Sequence, residues 1–310
     1  MSASVGVLVM AYGGPDALSD VEPYLLDVRG HRATPEHVVQ EVRGRYAAIG
    51  GRSPILERTR AQARGLHEAL AARGRPLPVV VGMRHWKPRI ADGLAELRTR
   101  GVERVVGLVM APHYSRMSIE LYFRKVAEDR GALAFAGIPD WHLLPGYVTA
   151  AADRVRDALA RFPADVRHDV PVIFSAHSLP QRILESGDPY PEQLTASMRA
   201  VVARIGNGGL RHQFAFQSAA MTPDPWLGPD VGTVLKRLAD AGERNVVVAP
   251  IGFTCEHVEV LYDLDVELRR QAGTLGIHLE RAGMVNDDPL MMAGLADLVL
   301  ETADREWAGA

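Results

Sequence analysis

The chain of 310 residues contains one cysteine, Cys255. A single cysteine excludes a disulfide within the chain and an iron–sulfur cluster held by several of its own cysteines. No apolar run approaches the roughly 20 residues that cross a bilayer. The first apolar run also has no lysine or arginine before it. We therefore predict that this run is a strand and not a signal peptide, and that the protein is soluble and cytoplasmic.

Several common binding motifs are missing as well. The sequence has no HxH, HExxH or CxxC pair, which argues against a closed structural zinc site. It has no GxGxxG or GxxxxGK[ST] loop, so a dinucleotide or P-loop phosphate site lacks support. The net charge of −3 gives no reason to expect nucleic acid or an anionic membrane as a partner. What remains is an ordinary globular composition, with 47% hydrophobic residues.

Short apolar runs alternate along the chain with segments of helical periodicity. The predicted strands are Val5–Met10, Pro78–Met83, Val102–Met110, Val170–Phe174, Gln213–Gln217 and Asn245–Ile251. The predicted helices are Thr59–Ala72, Pro88–Arg98, Ser118–Asp129, Ala150–Arg161, Pro191–Ile205, Val231–Ala241 and His257–Ala272. This alternation is typical of an α/β protein with doubly wound parallel sheets.

A weak internal repeat points to two similar domains. Residues 104–112 and 245–250 are both apolar runs that end in Ala-Pro and lead into a helix. We predict an N-terminal α/β domain over residues 1–145 and a C-terminal α/β domain over residues 146–310, with the active cleft between them. A final helix over residues 288–306 is expected to pack back across the N-terminal domain.

Two protonatable side chains follow predicted strands of the second half. His177 ends an apolar run, and Glu259 begins the helix that follows another. Ligands bind at the carboxyl ends of strands in open α/β sheets, so a base and an acid there are suited to moving protons on a small molecule. Each residue also has a simpler interpretation. A histidine can be hydrogen-bonded at a sheet edge, and a glutamate is stabilised in any first helical turn.

Glu259, Asp263 and Glu267 are spaced four residues apart, which places them on one stripe of a regular helix. A solvated helix face accounts for this pattern. The same stripe could line a cleft and guide a hydrated divalent cation, because hard cations prefer oxygen ligands.

The sequence resembles the ferrochelatase family, which inserts Fe(II) into porphyrins. The resemblance covers nearly the whole chain and rests on five stretches in the family's order: Leu8–Pro15, Arg45–Pro54, Gly82–Pro88, Ser175–Pro180 with Gly187–Pro191, and Gln217–Ser218 with Pro225–Asp230 leading to Gly252–Asp265. It implies a class II chelatase-like fold, with two doubly wound domains. It also implies Fe(II) as a substrate, no tightly bound cofactor and no iron–sulfur cluster.

The resemblance assigns roles to the candidate residues. His177 and Glu259 are similar to the family's catalytic pair and metal-contacting residues. A free-base porphyrin loses two pyrrole protons as the metal enters, so a base and a proton relay are needed. Asp263 and Glu267 resemble the family's outer acidic path, where the helix is locally widened, and would complete the metal-binding set or hold a divalent cation.

The resemblance also implies how the porphyrin is held. Arg29, Arg45, Ser53 and Tyr122 match positions that contact substrate propionates in the branch from Gram-positive bacteria. Tyr12 matches a tyrosine that approaches the product iron in that branch.

Three details favour coproporphyrin III as the substrate. They are Tyr12, the stretch Thr222–Asp230, and the lack of a long apolar lip over Val21–Arg45. The alternatives are a protoporphyrin IX ferrochelatase, a sirohydrochlorin cobalt or nickel chelatase, and a non-catalytic porphyrin or haem carrier. Besides porphyrin and iron, the expected partners are enzymes before and after it in haem biosynthesis, through transient contacts.

Overall fold

The computed structural model describes residues 4–206, 208–219 and 224–307. It contains two parallel sheets of four strands each. The first has the order β2-β1-β3-β4 and consists of β1 (Val5–Ala11), β2 (Val79–Met83), β3 (Arg104–Val109) and β4 (Ala134–Ile138). The second has the order β6-β5-β7-β8 and consists of β5 (Val172–His177), β6 (His212–Gln217), β7 (Asn245–Ala249) and β8 (His278–Arg281).

Helices connect the strands within each half. The first half contains a short 3-10 helix (Leu18–Asp20), α1 (Val21–Val28), α2 (Glu36–Ala48), α3 (Ile55–Ala72), α4 (Ile90–Thr99) and α5 (Ile119–Asp129). The second contains α6 (Pro145–Leu159), α7 (Arg182–Glu185), α8 (Tyr190–Ile205), α9 (Val231–Asp240), α10 (Val258–Leu261), a π-helical segment (Asp263–Leu268), α11 (Arg269–Thr274) and α12 (Pro289–Trp307). None of the described helices is both long and apolar enough to cross a membrane.

The central strands are buried on both faces. Four consecutive residues of β1, Val7 to Met10, have no exposed surface, and Val172 to Phe174 of β5 are equally buried. Helices on both faces of a parallel sheet produce such uninterrupted apolar strands. The predicted α/β class with two doubly wound sheets is therefore confirmed.

One apolar cluster contains side chains from both sheets, including Val7, Val106, Phe174 and Val247. The last helix, α12, packs against α3 of the first half and α6 of the second. The boundary at residue 145 stays a prediction, since the buried core is continuous across it.

Three local predictions are corrected. The edge strands β4 and β8 were missing from the predicted set, because both are short and are recognised only by their pairing with β3 and β7. The helix predicted over His257–Ala272 is interrupted by the π-helical segment. The Tyr262 carbonyl there accepts hydrogen bonds from Val266 N at 3.1 Å and from Glu267 N at 2.9 Å. The second bond spans five residues, which widens the helix as the family resemblance implies.

Candidate active site

The loops after β1, β3, β5 and β7 enclose a cavity of about 320 Å³. These loops lie at the carboxyl ends of parallel strands, where the topology of α/β sheets places ligand sites. The protonatable side chains that line the cavity include Tyr12, Arg84, His113, Tyr122, His177 and Glu259. The structure thus brings together side chains from both halves of the chain.

His177 and Glu259 form an ion pair in this cavity. His177 Nε2 lies 3.5 Å from Glu259 Oε1, and His257 Nε2 lies 3.5 Å from Glu259 Oε2. The other ring nitrogen of His177, Nδ1, donates to the Ser178 carbonyl, which fixes the ring. Gln217 Nε2 donates to the Glu259 carbonyl at 2.9 Å and ties α10 to the end of β6.

The surroundings of the pair shift the pKa values of both side chains. Burial lowers the pKa of His177, but the Glu259 carboxylate and the Ser178 carbonyl outweigh burial and raise that pKa to about 9. Burial raises the pKa of Glu259, yet the His177 and His257 rings hold it below its usual range. At neutral pH the pair is therefore an imidazolium beside a carboxylate. About a third of each side chain is exposed, 30% for His177 and 31% for Glu259, so a ligand can reach both.

The acidic residues of the π-helical segment lie outside the cavity lining. Ser218 Oγ donates to Asp263 Oδ2, and Arg45 Nη1 lies 3.6 Å from Asp263 Oδ1. Burial is the largest cause that raises the pKa of Asp263, to about 6. Glu267 is exposed. Among the described residues, no group of three or more His, Cys, Asp or Glu side chains is arranged to hold a metal ion.

Another part of the cavity lining, the aromatic wall formed by Tyr12 and Tyr122, carries one arginine. The Arg84 guanidinium lies 5.8 Å from the Tyr12 ring centre and 5.4 Å from that of Tyr122, which is a cation–π arrangement. Tyr12 also packs against His85 at 4.6 Å. Burial is the main reason that the pKa of Tyr12 rises to about 12. The Tyr12 hydroxyl therefore keeps its proton at neutral pH, where the His177–Glu259 pair is ionised.

The predicted propionate residues occupy different positions. Ser53 and Tyr122 line the cavity. Arg45 lies outside the lining, where it bonds Glu41 at 2.8 Å and approaches Asp263, while its buried Nε has no hydrogen-bond partner among the described residues. Arg29 is exposed at the end of α1. In the stretch Thr222–Asp230, Thr222 and Pro223 lie outside the described residues.

Sequence reasoning missed three residues of the site. His257 pairs with Glu259, and Arg84 covers two tyrosines of the cavity wall. Both lie in motifs that carried the family resemblance, so their position beside known site residues was the available signal. His113 is buried in the wall and bonds Ser197 Oγ at 2.9 Å; nothing in its local pattern distinguishes it from a core histidine.

The chain matches the Ferrochelatase family model over residues 4–303. It is 43% identical over 299 residues to a ferrochelatase from Deinococcus radiodurans, covering 95% of each chain. It is 37% identical over 307 residues to a coproporphyrin III ferrochelatase from Bacillus subtilis, covering 97% of this chain and 98% of that protein. The solved structure of SirB from Bacillus subtilis with Fe3+ has a TM-score of 0.58 at 12% identity, covering 98% and 97% of the two chains.

The likeness to SirB shows the fold alone, because its identity is low. The family match and the two relatives extend over nearly the full chain, and they confirm the resemblance that the motifs indicate. The chain therefore belongs to the ferrochelatase family of metal-inserting enzymes.

Proposed function

We propose that this ferrochelatase inserts Fe(II) into coproporphyrin III and gives iron coproporphyrin III (coprohaem) in haem biosynthesis. The observation that carries the proposal is the His177–Glu259 pair, which lines the same cavity as Tyr12. The relative from Bacillus subtilis is named for coproporphyrin III, which supports this substrate over protoporphyrin IX.

In the proposed reaction His177 is the base nearest the porphyrin nitrogens. Its raised pKa means that it must first lose its own proton. Glu259 Oε1 lies 3.5 Å away and can carry that proton only transiently, because the same contact holds the pKa of Glu259 below its usual range. The charge of the approaching Fe(II) favours this loss, because a cation disfavours a second positive charge nearby. His257, on the far oxygen of Glu259, extends the relay. The two pyrrole protons then leave through the same side chains.

Fe(II) is a substrate in this scheme, and the enzyme needs no tightly bound cofactor. His177 and Glu259 are the proposed metal contacts at the porphyrin, and Tyr12 the proposed contact to the product iron. Asp263 and Glu267 would hold the incoming ion, or another divalent cation, on the outer side of the π-helical segment. The raised pKa of Asp263, about 6, lets this side chain take up a proton below neutral pH, which suits a ligand that must also release its metal.

Arg29, Arg45, Ser53 and Tyr122 are the proposed propionate contacts. The strongest support concerns Arg45, whose buried Nε lacks a partner among the described residues and can donate to a carboxylate. We also propose that the protein acts in the cytoplasm and contacts neighbouring enzymes of the pathway transiently.

The test is anaerobic addition of Fe(II) to the protein with coproporphyrin III and, separately, with protoporphyrin IX, followed by absorbance. Much faster turnover of coproporphyrin III is the expected result. A preference for protoporphyrin IX would overturn the substrate, and tight porphyrin binding without metal insertion would favour a carrier.

Arg45→Ala refines this test. It should weaken binding of coproporphyrin III more than binding of protoporphyrin IX, whereas the exposed Arg237→Ala should affect neither. Equal weakening of both substrates by Arg45→Ala would argue against a propionate contact that discriminates between them.

A further inference from the structure

A second groove adjoins the cavity along the outer side of α3. It encloses about 280 Å³, and its lining includes Ser53, Arg52, Arg60 and Arg64. Ser53 also lines the main cavity, so the two spaces meet at this residue. A substituent of a ligand in the main cavity would pass Ser53 to enter the groove.

The local sequence builds the groove from a turn and one helix face. Gly50 and Gly51 have φ angles of 100° and 86°, which few other residues adopt, and they turn the chain so that Arg52 precedes α3. Arg60 and Arg64 lie one turn apart on the exposed side of that helix.

The groove carries an excess of positive charge. Its two acidic residues are Asp16 and Glu57. Asp16 accepts a hydrogen bond from Trp86 Nε1 at 2.9 Å, and Glu57 is 3.9 Å from Arg52 in a pair with both side chains at least 70% exposed. Such an exposed pair contributes little.

The side chains of Arg60 and Arg64 form no ion pair or hydrogen bond with the residues that the structure describes. Like charges one helical turn apart repel each other. An anion between the two guanidinium groups would remove this repulsion and could be bound through paired N–H donors.

The substrate supplies such an anion if the chain acts on a porphyrin. The main cavity of about 320 Å³ is at the small end for ligand sites, so the edges of a substituted macrocycle extend beyond it. Arg84 is the arginine in the described lining of that cavity and lies over two tyrosine rings. Arg45, the proposed contact of another propionate, lies outside the lining of the main cavity, beside Glu41 and Asp263. A propionate that leaves the cavity beside Ser53 therefore needs another cationic partner.

We propose that Arg60 and Arg64, supported by Arg52, bind a propionate carboxylate of the porphyrin whose ring occupies the main cavity. The inference rests on the proposed function only in taking a porphyrin as the ligand. Both coproporphyrin III and protoporphyrin IX carry propionates, so it does not depend on the choice between them.

The test compares the double variant Arg60→Gln/Arg64→Gln with wild type and with Arg237→Gln, an exposed arginine on α9. Losing two charged donors should raise KM for the porphyrin by about three- to tenfold, with kcat changed by less than about twofold. Added salt should weaken porphyrin binding by wild type more steeply than binding by the double variant. Arg237→Gln should match wild type in both measurements.

Arg60→Lys/Arg64→Lys keeps the charge without the paired N–H donors, so its KM should lie between those of wild type and the glutamine variant. An unchanged KM and salt dependence in the glutamine variant would overturn the proposal. If wild type metallates only protoporphyrin IX, the proposed substrate is wrong. The KM of the same variants for protoporphyrin IX then tests whether Arg60 and Arg64 bind a propionate. If no porphyrin is turned over, the dissociation constants of wild type and the variants, measured by porphyrin fluorescence, test the propionate contact instead. Failure of wild type to bind any porphyrin would overturn both proposals.

Discussion

In each half of the molecule, the strand at the second position of the sheet leads to the cavity: β1 in the first half and β5 in the second. The residue that follows β1 is Tyr12, and the residue that ends β5 is His177. Tyr12 lies among aromatic rings with Arg84 over its face. His177 instead meets a carboxylate and donates to a backbone carbonyl.

The carboxyl ends of these two corresponding strands therefore have opposite chemistry. Tyr12 keeps its proton up to about pH 12, and His177 holds an extra proton up to about pH 9. Of these two side chains, His177 is the one whose protonation changes near the pH range in which enzymes work. The comparison shows that the topology places both side chains at one cavity, the residue types decide which of them exchanges protons, and the neighbouring groups set the pH at which it does so.

Removing the imidazole should have the largest effect. His177→Ala is expected to lower kcat for metal insertion by about 100-fold or more, because general base catalysis contributes that much. Porphyrin binding should stay within a few-fold of wild type, since the aromatic wall is intact. Anaerobic turnover and fluorescence titration measure the two quantities. Turnover near the wild-type rate would contradict the role of His177 as the general base.

Glu259→Gln should change both rate and pH dependence. In wild type, kcat/KM should rise with pH towards about 9, because His177 accepts a pyrrole proton only after losing its own. Without the carboxylate the pKa of His177 falls, so the rise should move to lower pH while the maximum decreases by about tenfold or more. Profiles from below pH 6.5 to above pH 9 are the measurement, and an unmoved profile would contradict the pairing.

Asp263→Asn should stabilise the protein at higher pH. The pKa of Asp263 in the fold is about 6, against an ordinary value of 3.8, so ionising this side chain opposes folding as pH rises through that window. Asparagine stays neutral and can still accept from Ser218. The gain is at most about 3 kcal/mol.

This gain should appear as a higher melting temperature above pH 6 and vanish below pH 4. Glu267→Gln, an exposed change in the same π-helical segment, is the control. A melting temperature lowered by Asp263→Asn above pH 6 would mean that the ion pair with Arg45 outweighs burial.

Tyr12→Phe should have the smallest effect on rate. A phenol that stays protonated to about pH 12 does not serve as the base, so kcat should change by less than about threefold. If Tyr12 contacts the product iron, the absorbance spectrum of the product complex should change even so. A large loss of rate with an unchanged spectrum would mean that Tyr12 takes part in proton transfer and does not contact the product iron.

Much of the fold could be predicted from local pattern. Six strands were identified because each contains a short apolar run, and that run is longest in the central strands, which are buried on both faces. The edge strands β4 and β8 were missed because their identity depends on pairing with a neighbour. The π-helical segment was not predictable from periodicity, which assumes a regular helix.

The candidate site was only partly predictable. His177 and Glu259 follow apolar strands and carry family motifs, so they were identified from the sequence. His257 precedes α10 in extended backbone and reaches Glu259 two residues on, a contact that helical spacing does not predict. Arg84 lies over Tyr12 and Tyr122, which belong to other segments, so no spacing rule identifies it either.

The sequence by itself determined the family, the alternation of strands and helices, and the residues placed at the ends of β1 and β5, because these depend on local pattern and motif. Only the tertiary structure decided the charge states in the cavity. The separation of His177 from Glu259, the burial of Asp263 and the position of Arg84 over two tyrosines all result from packing. A pKa depends on distance and solvent exposure in three dimensions, and neither is contained in residue order alone.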